Sequence, residues 1–515
     1  MKKNYLIILL CVISSWAMGQ TVEIVEDTHS GTESTSPNNI VTDGTNLYYQ
    51  GAVNNFTYWY ARNAFQTWLL TGTDYELYVY DGINSPVAEI YNTNVDLDET
   101  DAKSNVYDHH YGAGVNYSFV MNGQVYFSAD KVADASTAAI FQICTYDEGT
   151  ITDVADIELS MTPIVNNNVA YFVGSDNKLY SWDGSSRDAT LLLNQDGWEI
   201  ANNDFIPFGT DQFIAYAQAT GETERNLMIY DATNGAVLLK DFITGGSDNI
   251  SSFIKVGEKV VFKTHITLAE PDEYGNTAKY AFAITNGTTE GTTEISLLND
   301  ILVDGPTPLF SDGNTLYCSA RVTENSSDIN VQLIAYTNDG SEELTILSKE
   351  QDNTGAASAH SPSDMVKYTD GWIYYAGYRY VGETRTAGIF RTNGSVIELV
   401  NNTVSSPSKL TVFNDKIYFS GQTDSYGTEL FVLDPKGTAT SIERAINNSI
   451  TVSPNPSYGY VNVAGVEPGT AYEIYSIAGA MVEKGIVSNN QIDYNVQPGV
   501  YLLKVGTKVT KIMVK

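Results

Sequence analysis

Side chains that could hold a ligand concentrate in a few stretches of the chain. Residues 52 to 75 contain Phe56, Tyr58, Trp59, Tyr60 and Trp68, residues 92 to 114 contain Asp108, His109, His110 and Tyr111, and residues 378 to 387 open with Tyr378, Arg379 and Tyr380. Rings with flat apolar faces and polar rims stack on sugars or anchor a protein partner. Trp59, Tyr60, Trp68, His110, Tyr111, Tyr378, Arg379 and Tyr380 are therefore the candidate ligand-binding residues. A competing reading, in which the rings pack long loops onto the body, carries more weight from residue types alone. Adjacent residues on an extended strand point to opposite sides, so His109 and His110 do not readily share one metal. The run Asp96-Leu97-Asp98-Glu99-Thr100-Asp101 has carboxylates enough for calcium but lacks the glycine and distal glutamate of an EF-hand loop. It reads as a solvated acidic loop, and no metal or other cofactor is expected.

Linear enzyme signatures are missing. The chain has no Gly-x-Ser-x-Gly elbow, His-Glu-x-x-His, phosphate loop or dinucleotide fingerprint. No catalytic residue is assigned. Carboxylate pairs brought together from distant segments leave no linear motif, so a polysaccharide-degrading enzyme stays open beside the preferred reading of a binding or adhesion scaffold.

The elements that must position these residues repeat. A strand of the form apolar-Tyr-Phe-small recurs at Leu47-Tyr48-Tyr49, Val125-Tyr126-Phe127, Ala170-Tyr171-Phe172, Phe213-Ile214-Ala215, Val260-Val261-Phe262, Leu316-Tyr317-Cys318, Ile373-Tyr374-Tyr375 and Ile417-Tyr418-Phe419. A following strand ends in Asp-Gly or Asn-Gly at residues 81–82, 183–184, 286–287 and 393–394. Four short antiparallel strands per unit describe a β-propeller, eight-bladed with seven blades as the alternative. Thr21-Val22-Glu23-Ile24-Val25-Glu26 resembles a blade's closing strand and is expected to pair with Leu430-Phe431-Val432-Leu433, completing the last blade. The aspartate and glycine of the turns are expected to serve hairpin geometry, which needs positive φ there, ahead of metal binding. In such a meander the loop between strands two and three and the link between blades share one face. The long segments 52–75, 92–114, 264–279, 351–362 and 378–387 all fall on that face, where a ligand site is expected.

Some units are similar to repeats of secreted bacterial propellers that read Glu-Leu-Trp-x-x-Asp-Gly-Thr followed by Gly-Thr. Asn286-Gly287-Thr288-Thr289-Glu290-Gly291-Thr292 and Gly427-Thr428-Glu429-Leu430-Phe431 carry that resemblance. It implies the fold and no activity.

The hydrophobic fraction of 43% with 41 glycines and 35 tyrosines fits an all-β protein. A net charge of −34 disfavours nucleic acid and anionic lipid as partners. Residues 450–515 differ from the rest, with five lysines against four acids. Their short alternating runs fit a small immunoglobulin-like sandwich in which Ile512 and Val514 face inward while Lys511, Met513 and Lys515 face water. This stretch resembles the type A C-terminal sorting domain of the bacterial type IX secretion system. The resemblance rests on Val452-Ser453-Pro454-Asn455-Pro456, the block from Tyr472 to Gly479, Gly499-Val500-Tyr501-Leu502-Leu503 and the final Lys511-Ile512-Met513-Val514-Lys515. It implies export across the outer membrane of a Gram-negative bacterium, with the secretion machinery as partner and release or surface attachment as the end point. Pro454, Asn455, Pro456, Gly479, Gly499, Tyr501, Lys511 and Lys515 are the positions it marks as the sorting signal.

At the other end, Met1-Lys2-Lys3, an apolar run from Tyr5 to Trp16 and Ala17-Met18-Gly19 read as a Sec signal peptide cleaved before Gln20. The expected organisation is a leader over 1–19, a propeller over 20–449 and a sorting domain over 450–515, with no transmembrane segment in the mature chain. Cys144 and Cys318 are expected to be small buried hydrophobes rather than a disulfide.

Overall fold

The computed structural model describes residues 21–26, 34–63, 66–89, 114–131, 140–192, 197–231, 235–268, 270–271, 277–295, 297–298, 301–324, 327–338, 343–348, 360–381, 384–436, 451–453, 457–464, 469–476, 480–488, 491–505 and 508–515. The leader lies outside them. Two compact units are present, Val22–Asp434 and a second containing Pro435–Lys515.

Val22–Asp434 is a β-propeller. Its described strands form eight antiparallel sheets in chain order, seven of four strands and one of five. The first sheet comprises Asn38–Thr42, Leu47–Asn63, Gln66–Tyr80 and Val87–Glu89. The last comprises Ser405–Phe413, Lys416–Gln422 and Thr428–Asp434, with the N-terminal strand Thr21–Ile24 added to its outer edge. Val25 N–H donates to Leu430 O at 2.9 Å beyond that strand. The chain end thus closes the ring where the composition of Thr21–Glu26 placed it.

First strands of successive sheets, with the second strand Ile301–Asp312 in the five-stranded sheet, touch in an unbroken cycle, the eighth returning to the first, so they are the innermost elements. Packing between sheets explains why a single unit would not fold alone. At the closing seam, Ile40, Leu47, Tyr49, Tyr78 and Tyr80 meet Phe413, Tyr418 and Leu430. The next seam buries Tyr48 and Leu77 against Val125, Phe127 and Cys144. Cys144 and Cys318 are both buried free thiols, each taking the place of an aromatic residue in its strand.

Buried polar residues pin the links between sheets. The position before the apolar pair of the third strand holds Glu76, Gln142, Gln332 and Glu429, all buried. Glu429 accepts hydrogen bonds from Thr35 N at 2.9 Å and Thr35 Oγ1 at 2.6 Å, fixing the segment that enters the first sheet. Gln142 Nε2 donates to Asp156 Oδ1 at 2.6 Å, and Ser348 Oγ donates to Gln332 Oε1 at 2.5 Å. In the repeat Glu-Leu-Phe, the glutamate is therefore a tether for the link, and the leucine and aromatic are the core.

Two of the expected long loops are strands instead. Leu47–Asn63 and Gln66–Tyr80 pair as far as Asn63↔Gln66, with register shifts between Ala52 and Asn55 and between Ala61 and Asn63, so most of 52–75 is a ribbon. Ile373–Val381 and Thr384–Thr392 likewise pair to the Val381↔Thr384 end, so 378–387 is a tight hairpin. The physical reason lies in composition: both stretches are rich in threonine, tyrosine and other β-formers, and cross-strand pairing satisfies backbone groups that a loop would leave to water. Residues 90–113 and 351–359 lie outside the described residues.

The C-terminal unit is a small sandwich. Thr451–Ser453, Tyr460–Ala464 and Gln491–Asp493 form one sheet. Ala471–Ser476, Met481–Ile486, Gly499–Val505 and Lys508–Val514 form the other. Val461, Val463 and Ile492 pack on Ile474, Leu503, Val505 and Ile512. Ile512 and Val514 are buried while Lys511, Met513 and Lys515 are exposed, as their alternation requires.

Candidate functional site

A bulge repeated on the innermost strands shapes the channel wall. In five sheets the pairing of the first strand breaks after Asn38, Asn116, Ser251, Ser363 and Ser408 and resumes three residues later. The residue that follows each break, Asn39, Tyr117, Ser252, Asp364 or Lys409, has φ between 45° and 59°. Such a bulge re-aims its side chains and frees the local backbone from the ladder. Its recurrence makes the position architectural, and the residue chosen there is free to vary.

Three equivalent bulges meet in one pocket at the closing seam. It measures about 420 Å³ and is lined by Ser36, Pro37, Asn38, Gln50, Tyr75, Asn116, Ser408, Lys409, Ser420 and Thr428. Asn38 and Asn116 begin first strands, Ser420 lies near the end of a second strand and Thr428 begins a third, which places the pocket on the face of the inter-sheet links. Asn39 Nδ2 ties the wall together, donating to Asn116 Oδ1 at 2.8 Å and Gln50 Oε1 at 3.3 Å. Gln50 and Ser420 are buried, and the Asn38 side-chain oxygen is buried without a hydrogen-bond partner among the described residues. Among the described residues no carboxylate lines the pocket, and Lys409 is the one cation that does.

A second cleft, of about 510 Å³, lies on the opposite face between the first two sheets. Asp43, Asp81, Asp147 and Glu148 line it with Asn46, Asn84, Gln124, Tyr48 and Tyr146. Turn geometry employs two of these acids. Asp43 Oδ1 accepts Thr45 N and Asn46 N at 2.7 and 2.8 Å, and Asp81 Oδ1 accepts Ile83 N and Asn84 N at 2.8 Å each. Those N–H groups hold the Asp81 carboxyl below its ordinary range. The glycines after the turn aspartates and asparagines have φ of 82° to 85° at Gly82, Gly184, Gly287 and Gly394, which is the conformation hairpin geometry requires of them. Among the described residues no group of three or more His, Cys, Asp or Glu side chains is placed to hold a metal ion.

The residues singled out from sequence are not gathered into one site. Trp59, Tyr60 and Trp68 lie on the long ribbon, where Tyr60 pairs with Trp68 and Trp59 with Leu69. His110 and Tyr111 lie outside the described residues. Tyr378, Arg379 and Tyr380 are strand residues paired with Ala387, Thr386 and Arg385. The Arg385 guanidinium covers the Tyr378 ring at 4.3 Å. Arg379 turns toward the blade interior, 5.8 Å from the Phe390 ring and opposite His360 in the ladder. His360 is fully buried, with Nε2 2.8 Å from the Tyr375 hydroxyl and its ring edge-on to Tyr375 and Phe390. Burial first, and then the Arg379 charge, hold its pKa down at about 3, so it is a neutral packing group. The pocket residues Asn38, Gln50, Asn116, Ser408 and Lys409 were not singled out from sequence. A polar pair just before the apolar part of the first strand, as in Asn38-Asn39, Ser363-Asp364 and Ser408-Lys409, is the signal that could have found them.

In the C-terminal unit, Gly499 and Tyr501 lie on Gly499–Val505, and the Tyr501 hydroxyl donates to Gln497 O at 2.7 Å. Lys511 projects from the last strand, and Lys515 N–H donates to Ser457 O at 3.0 Å. Pro454, Asn455, Pro456 and Gly479 lie outside the described residues. Residues 451–515 match the family of secretion system C-terminal sorting domains. The chain is a type IX secretion cargo. Its sorting domain directs it to the cell surface or the medium by way of that machinery.

The cargo propeller has no match among curated proteins. Among solved structures it is similar to the computationally designed Ika8 protein, with 11% identity and a TM-score of 0.41 over 79% of this chain and 98% of that one. The β-propeller domain of the Trilobed protease from Pyrococcus furiosus aligns at 11% identity and a TM-score of 0.39 over 62% of this chain and 95% of that one. YCF48 bound to D1 peptide aligns at 12% identity and 0.33 over 75% and 94%.

Proposed function

We propose that this cargo is a binding or adhesion scaffold whose link face holds a glycan or a surface protein outside the cell. The observation that carries the reading is the pocket at the closing seam, polar and lined by amides and hydroxyls with no carboxylate among the described residues. Hydrolysis or elimination of a glycosidic bond ordinarily needs acidic groups placed about the scissile bond, so this pocket suits holding a sugar better than cutting it. A polysaccharide-degrading enzyme is the second reading. Asp364, on an innermost bulge, and Asp204, which burial raises to about 6 against a hydrogen bond from the Ser252 backbone, are the acids on the first strands that favour it. After export, removal of the sorting domain and attachment to the outer surface of a Gram-negative cell complete the proposed route.

Light scattering on a panel of polysaccharides incubated with the chain from Gln20 to Lys515 separates these readings. A prompt, stable rise in particle mass is the expected result. A progressive fall would mean depolymerisation and would replace the scaffold by the enzyme. No change with any polysaccharide would leave a protein partner as the ligand.

A further inference from the structure

Two clefts of the propeller have opposite chemistry, and the difference points to a ligand class. The chain carries 62 acidic against 28 basic residues, so an opening chosen at random on its surface is acidic. The cleft between the first two sheets obeys that expectation with four acids. The seam pocket departs from it, presenting Lys409 and no acid among ten lining residues. Lys409 is also held by the backbone, since it occupies the bulge with φ of 59° on an innermost strand.

Beside Lys409 the pocket offers groups that both donate and accept. Ser420 is 3% and Gln50 9% exposed, and the Asn38 side-chain oxygen is a buried acceptor that no described protein group satisfies. Vicinal hydroxyls, each a donor and an acceptor, match amides and hydroxyls better than an apolar ligand or a bare inorganic anion would. A lysine adds a charge-assisted bond to a carboxylate. The volume lies within the range of about 300–1,000 Å³ usual for small-molecule sites.

We propose that the seam pocket binds the carboxylate-bearing residue of an acidic saccharide, with Lys409 on the carboxylate and the half-buried Ser36, Asn116 and Ser408 on ring hydroxyls. This rests on the glycan reading of the link face and narrows it to a uronate-type sugar.

Ligand-observed NMR titrations of the chain from Gln20 to Lys515 test it, using galacturonate and glucuronate beside their neutral parents galactose and glucose. Uronates are expected to bind about tenfold more tightly than the parents. Lys409→Gln should abolish the preference, and Lys409→Arg should keep part of it. Lys409 is exposed, so neither change threatens the fold, and thermal melts of both variants verify that. Equal binding of acidic and neutral sugars, or a preference that survives Lys409→Gln, would overturn the pocket assignment while leaving the glycan reading intact. Absence of binding by all four sugars and by the polysaccharide panel would overturn both.

Discussion

Asp248 shows how much one buried side chain can set the conditions a protein tolerates. Its Oδ1 accepts the N–H groups of Phe242 and Ile243 at 2.9 Å each, and the residue is fully buried. Burial raises its pKa to about 7, more than those two N–H groups lower it. The folded state therefore holds a proton that the unfolded state releases at about 4, so the stability this group contributes is present below pH 4 and lost as pH rises through 7. His360 acts with the opposite sign. Its neutral form is favoured by the fold, so stability present above pH 6.5 is lost as pH falls toward 3. Between these limits the two oppose each other. Asp248→Asn should remove the first effect, making the variant progressively less stable relative to wild type as pH is lowered from 8 to 4, by at most about 1.4 kcal/mol per pH unit. Chemical denaturation across that range reads it out, and a constant difference at all pH values would contradict the assignment. Gly287 is a second case. With φ of 82°, and a Cβ that would lie 2.5 Å from the Phe208 ring, Gly287→Ala should cost about 1–3 kcal/mol. Gly184→Ala should cost less, since the nearest atom there is the flexible Met121 Cε at 3.3 Å. Denaturant midpoints of the two variants check the order.

At the scale of elements, the link tether and the bulge divide the work of each repeat. Glu429 holds Thr35 through both carboxylate oxygens, so Glu429→Gln leaves one Thr35 donor facing an amide N–H₂. Loss of about 1–3 kcal/mol is expected for this change. Thr35→Ser, which keeps both donors, should be close to neutral. Equal effects of the two in denaturation would mean that packing, and not hydrogen bonding, fixes the link. The bulge, in contrast, leaves its residue exchangeable, which is why Asn39, Tyr117, Ser252, Asp364 and Lys409 can differ at one architectural position. A rigid ladder outside and a permissive bulge inside let the channel mouth change its chemistry from sheet to sheet without altering the ring.

For the whole molecule, the export signal and the propeller are separate units. Val22–Asp434 has its own seams and closure, and the sorting domain has its own core of Val461, Ile474, Leu503 and Ile512. Deleting residues 451–515 should abolish appearance of the propeller at the cell surface and in the medium. Fractionation of cells producing the full and truncated chains measures this, and secretion of the truncated chain would contradict the sorting role.

Much of this was legible in the residues. Period-two alternation with aromatic and β-branched residues specified strands, the recurrence of Leu-Tyr-Tyr-like segments specified a propeller, and Thr21–Glu26 specified its closure, because local patterning and turn chemistry are written residue by residue. The blocks from Val452 to Lys515 specified the route of export. Tertiary structure alone decided where a ligand could sit. Trp59 and Tyr378 read as loop residues because their aromatic neighbours gave no sign of the partner strands at Leu69 and Ala387 that extend the ladder. Asn38, Asn116 and Lys409 are 78 and 293 residues apart in the chain, and only ring closure, which sets the last sheet beside the first, makes them walls of one pocket.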